Sequence, residues 1–123
     1  MKISILLPYK ENFSPDYPGA VSIYVKDTTI CSKYKNKIKI FGSTNFKKKL
    51  LNNYINLPLK RKIFQSSSRL YVKSFLNAEK KIKSDIIEIH NRPSYISEIS
   101  TNTKAKIVLY FHNDPLKMTG SKS

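Results

Sequence analysis

The chain has 123 residues, of which 40% are hydrophobic, and a formal net charge of +15. That length suits one domain with one core, and that hydrophobic share excludes wholesale disorder. No apolar run reaches the ~18 residues of a spanning helix, and residues 3–7 (ISILL) are too short for a signal-peptide core, so the expected location is the cytoplasm.

Twenty of the 23 basic residues are lysine; only Arg61, Arg69 and Arg92 are arginine. Lysine, isoleucine and asparagine share AT-rich codons and are all abundant here, so part of the charge reflects codon composition. Readers of nucleic acid lean on arginine for bidentate contacts, which argues against that partner. What remains is a basic surface suited to polyanions or an anionic leaflet. The lone cysteine, Cys31, has no internal partner and reads as a small buried helix residue.

Residues 2–8 (KISILLP) form a nearly continuous apolar run, the pattern of a strand buried on both faces. Residues 9–18 are polar with prolines at 15 and 18, a loop. A helix is expected over residues 19–33, with Val21, Tyr24, Val25, Thr28 and Cys31 on its apolar face. Residues 37–41 (KIKIF) alternate and end at Gly42, a second strand. A short edge strand fits residues 53–57. The next helix spans residues 67–83, capped by Ser66 or Ser67, with Tyr71, Phe75, Ala78 and Ile82 facing inward. Residues 85–90 (DIIEIH) and 106–112 (KIVLYFH) are the last two strands, joined by a turn and a short helix over residues 95–100.

This alternation predicts an α/β fold, a Rossmann-like parallel sheet of about five strands with helices on both faces, in a single domain. Ligands of such sheets bind at the carboxyl ends of the strands. Those ends carry the loops at residues 9–19, 91–93 and 112–115, which bring Gly19, Arg92 and the histidine segments to one edge. Gly19-Ala20 opens the first helix, where free N–H groups and the helix dipole favour phosphate; Gly19 also fits a plain turn. His90-Asn91-Arg92-Pro93 and His112-Asn113-Asp114-Pro115 repeat one form after consecutive strands. A histidine so placed can bond a sugar hydroxyl or shuttle a proton, while Asn113 and Asp114 also suit a turn before proline. No dinucleotide fingerprint, P-loop, metal-ligand spacing or nucleophile elbow is present.

Three blocks resemble the N-terminal domain of GT-B glycosyltransferases of family 4, which includes bacterial lipopolysaccharide, capsule and mannosyl-lipid enzymes. They are KISILLP through PGAVSIYVKD to KIKIFG, then SDIIEIHNRP, then KIVLYFHND. The resemblance covers most of the chain, in order and spacing. It implies a strand order of 3-2-1-4-5 and a retaining transfer of sugar from a nucleotide-sugar to a glycan or lipid-linked acceptor, in cell-surface polysaccharide synthesis. It assigns Gly19 and Ala20 to the donor diphosphate, with Ala20 where the family commonly has a second glycine. His112 matches the histidine that contacts the transferred sugar. Asn91 and Arg92, with Asn113 and Asp114, fall on the acceptor side. Neither cofactor nor metal is implied. Nucleotide recognition in the family belongs to a C-terminal domain, so these residues are expected to be inactive alone.

Two further expectations concern surfaces. Lys47, Lys48, Lys49, Lys60, Arg61 and Lys62 interleave with Leu50, Leu51, Tyr54, Ile63 and Phe64, a pattern suited either to peripheral contact with the inner face of the plasma membrane or to solvated lysines over an ordinary core. The competing reading of the whole chain is a basic nucleic-acid-binding or other non-enzymatic α/β binding module, which accounts for the charge but not for the two His-Asn strand ends.

Overall fold

The computed structural model describes residues 1–59 and 66–112. Five strands, β1 (Ile3–Leu6), β2 (Ile38–Gly42), β3 (Tyr54–Asn56), β4 (Ile86–His90) and β5 (Lys106–Tyr110), form one sheet. Every pairing is parallel and the order is β3-β2-β1-β4-β5. The helices are α1 (Ala20–Cys31), α2 (Ser67–Ile82) and α3 (Ile96–Asn102). The fold is therefore the expected Rossmann-like α/β sheet, and its strand order is the one the resemblance implied.

Side chains alternate across each strand and fill two separate cores. On one face Leu6, Phe41, Ile87 and Ile89 pack under α2 and α3, against Tyr71, Val72, Phe75, Leu76 and Ile99. On the other, Ile3, Ile5, Leu7, Ile38 and Ile40 pack under α1, against Val21 and Val25, with Phe13 from the following loop. Each fully buried side chain of this size contributes roughly 1.5–3 kcal/mol of apolar burial. Ser4, on the α2 side of β1, is buried too; its hydroxyl lies 2.6 Å from that of Ser84.

α2 begins where serine signalled it. The Ser66 Oγ accepts the Arg69 N–H at 3.2 Å, and the last turn carries Lys80 and Lys81 beside the negative end of the dipole. Its inward face also holds an acid that the pattern did not predict. Glu79 is buried and accepts from the Ser84 amide at 3.0 Å, the Ser84 hydroxyl at 2.5 Å and the Thr103 hydroxyl at 3.0 Å. Those donors replace water for the carboxylate, which makes the burial tolerable.

Three expectations need correction. The inward face of α1 is Val21, Ser22, Val25 and Thr29, so Tyr24 and Thr28 are exposed. Cys31 is exposed as well, since it lies two residues past Thr29 and hence off that face. Regular pairing of the last strand stops at Tyr110, and His112 stands beyond it. In the basic segment, Leu50, Leu51 and Tyr54 pack on the α1-side core, as the reading of solvated lysines over a core has it; Lys60, Arg61, Lys62, Ile63 and Phe64 lie outside the described residues. Among the described residues no helix is long and apolar enough to cross a membrane.

Phe75 is fully buried and meets Phe41 edge-on, with ring centroids 5.3 Å apart. Phe75→Ala should therefore cost about 3–5 kcal/mol in urea unfolding, while Cys31→Ser should change stability by less than about 0.5 kcal/mol. A comparable loss at both positions would contradict the placement of the cores.

Candidate functional site

Because every strand is parallel, all five carboxyl ends meet one edge of the sheet. β4 and β5 pair Glu88 with Val108 and His90 with Tyr110. Glu88 and His90 are two residues apart and so point to the same face, the α1 side. There the imidazole of His90 stacks on Tyr110, with centroids 4.9 Å apart and planes 7° from parallel. His90 is 1% exposed.

The chain turns sharply after His90. Asn91 takes a left-handed φ of 55°, a conformation asparagine adopts more readily than most residues. The turn lets the Asn91 N–H donate to the Tyr110 carbonyl at 2.8 Å, and lets Asn91 Oδ1 accept the His112 N–H at 2.7 Å. Asn91 thus fixes the backbone of His112 two residues past the end of β5. Arg92 Nη1 donates to the Asn91 carbonyl at 2.8 Å, tying the guanidinium to the same turn.

So held, His112 Nε2 lies 2.8 Å from His90 Nδ1. Tyr24, exposed on α1, presents its ring edgewise to His112, with centroids 4.7 Å apart. On the far side of His90, Glu88 Oε2 is 3.5 Å from Nε2, which makes no hydrogen bond among the described residues. The two sequence-predicted histidines are therefore one contiguous unit, flanked by an acid and two tyrosines.

The amino end of α1 differs from the expectation. Gly19 has a φ of −77°, open to any residue, so its lack of a side chain answers a need for space. A Cβ there would collide with the Glu11 carboxylate. Glu11 Oε2 accepts the Ser22 N–H at 2.9 Å, which places a carboxylate where phosphate was expected. Negative charge at that end complements the helix dipole. A diphosphate can use the Gly19-Ala20 turn only after Glu11 moves aside. Glu11 also bears on His112, where its charge favours the imidazolium. Asn113 and Asp114 lie outside the described residues.

The His112 pKa is nevertheless lowered from the ordinary histidine value. Burial is the main cause, the neighbouring His90 adds to it, and Glu11 opposes both. Tyr110 is pushed the other way, raised chiefly by the negative charge of Glu88, then by burial and by Tyr24. A neutral imidazole at His112 can donate or accept a single hydrogen bond at each nitrogen, which suits contact with a hydroxyl.

Sequence reasoning missed Glu11, Tyr24, Glu88 and Tyr71. Glu88 had a signal, as the one charged residue inside the apolar strand, two places before His90. Tyr71 looked like core; its hydroxyl reaches the Leu7 carbonyl at 2.6 Å and that of Phe41 at 3.2 Å, bracing the ends of β1 and β2. Among the described residues no cluster of three His, Cys, Asp or Glu side chains is arranged to hold a metal ion. No protein family matches the chain, and neither curated proteins nor solved structures include a match to it.

Two measurements test this geometry. Gly19→Ala should displace Glu11 and cost about 1 kcal/mol, the usual worth of a helix cap, yet add almost nothing in a Glu11→Ala background; full additivity in urea unfolding would refute the contact. For His112, a folded pKa below the unfolded one means that the unfolded chain takes up the proton first. Its contribution to stability is complete above about pH 6.5 and declines as pH falls through that value. The urea midpoint should thus fall between about pH 7 and 5.5, and His112→Gln should flatten that slope.

Proposed function

We propose that this chain is the N-terminal, acceptor-side domain of a GT-B glycosyltransferase of the family 4 type. The enzyme transfers a sugar from a nucleotide-sugar to a glycan or lipid-linked acceptor, in the cytoplasm or peripherally on the inner face of the plasma membrane. The observation that carries this reading is His112, held by Asn91 beyond the last strand and against Tyr24 of α1. The 3-2-1-4-5 sheet supports it, because it gathers the glycine loop and both histidine loops at one edge.

In this mechanism the domain contributes position more than reactive groups. His112 holds a hydroxyl of the transferred sugar, and Asn91 with Arg92 shapes the acceptor side. Charge developing on the departing diphosphate is met by the helix N-terminus once Glu11 has swung away, and by residues outside these 123 that recognise the nucleotide. Retention of anomeric configuration follows from the family resemblance.

The test is turnover of nucleotide-sugars by the intact protein, compared with its His112→Ala variant. The variant should lose about 10²-fold or more in kcat while its circular dichroism is unchanged, and residues 1–123 alone should not turn over. Near-wild-type kcat in a folded His112→Ala protein would remove His112 from the site and with it this reading.

A further inference from the structure

We propose that Glu88 and His90 act as a relay that fixes the tautomer of His112, so that His112 presents an unprotonated Nδ1 to the strand-end crevice. The relay stands on geometry alone; its meaning for a sugar hydroxyl rests on the glycosyltransferase reading above.

Two atom pairs define it. Glu88 Oε2 is 3.5 Å from His90 Nε2, and His90 Nδ1 is 2.8 Å from His112 Nε2. Among the described residues His90 Nε2 is buried and makes no hydrogen bond, and Glu88 is the charged group beside it. An ionised carboxylate only accepts, and a neutral imidazole carries one N–H and one lone pair. If His90 keeps its proton on Nε2, the N–H points toward the negative charge. Nδ1 is then a lone pair, and His112 must donate Nε2–H to it. The proton of His112 is thereby committed, and Nδ1 is left as an acceptor.

The reverse arrangement is penalised. It turns the buried Nε2 lone pair of His90 toward a carboxylate, which is repulsive at short range in a poorly solvated setting. It also puts the shared proton on His90 Nδ1 and leaves His112 with a proton on Nδ1. The ring orientations are restrained by their neighbours: Tyr110 stacks on His90, and Tyr24 meets His112 at a steep angle. Among the described residues, the charged groups acting on this set are Glu88 on β4 and Glu11 from the loop before α1; Glu88 also acts on Tyr110. Among the described residues His112 Nδ1 makes no hydrogen bond, so the atom that the relay leaves basic is also the one left to take a ligand.

The chemical consequence is a preference in ligand class. An acceptor nitrogen takes a hydroxyl that donates and disfavours a carbonyl or an anionic oxygen that needs a donor. His112 is the residue that would touch substrate; His90 and Glu88 are positioning residues.

Nitrogen-15 NMR of the full chain, above the pH at which its histidines titrate, reads the tautomers directly and does not depend on transferase activity. Wild-type His112 should be the Nε2–H form by about tenfold or more. In Glu88→Gln the amide offers a donor as well as an acceptor, so that ratio should fall to within about threefold of unity. Glu88→Asp, which keeps the charge, should retain the wild-type preference. A wild-type His112 protonated on Nδ1, or one whose ratio is unmoved in folded Glu88→Gln, overturns the relay. A correct tautomer combined with no nucleotide-sugar turnover by the intact protein would instead sink the glycosyltransferase reading and leave the relay standing.

Discussion

Ile3, Ser4, Ile5 and Leu6 are all buried, and they pair in parallel with β2 on one side and with β4 on the other. A strand covered on both faces needs apolar residues pointing both ways and a helix layer on each side. The two cores supply this, with α1 over Ile3 and Ile5, and α2 with α3 over Leu6. Parallel pairing around this strand also dictates where the chemistry can be. Since each crossover returns the chain to the same starting edge, the loops leaving β1, β4 and β5 emerge together. Glu11, Asn91 and His112 are neighbours for that reason, although they are separated by most of the sequence.

The site at that edge is governed by two acids that act on opposite ends of one imidazole pair. Glu88 faces His90 from inside the sheet, and Glu11 bears on His112 from the α1 side. Burial keeps His112 inclined to neutrality in spite of them. Glu11 has a second role, as the cap of an α1 that begins with no side-chain cap of its own at Gly19. One carboxylate therefore links the stability of the first helix to the electrostatics of the histidines.

Periodicity was enough to read the strands and α2, because their apolar residues follow periods of about two and four with little interruption. It failed on α1, where the buried face includes Ser22 and Thr29 and the exposed face includes Ile23, Tyr24 and Ile30. Hydrophobicity there does not mark the inside. Of the site, His112 and the Asn91-Arg92 turn were legible from their place after strands. Glu11 was not, since an acid in a polar loop has no pattern that says it folds back onto a helix end. The contact between His90 and His112 was also hidden: it depends on the β4–β5 register and on the left-handed turn at Asn91.

The buried Glu79 belongs to the opposite edge of the same sheet. With Ser84 and Thr103 it knits the end of α2 to the approaches of β4 and β5, whose far ends carry His90 and His112. A five-residue strand spans about 17 Å, beyond the range at which separate polar clusters usually couple. The scaffold is thus anchored and operated at different addresses. Variation at the histidine edge can accumulate while the amino edge keeps the fold, and a weakened fold can be repaired at the amino edge without retuning the imidazoles.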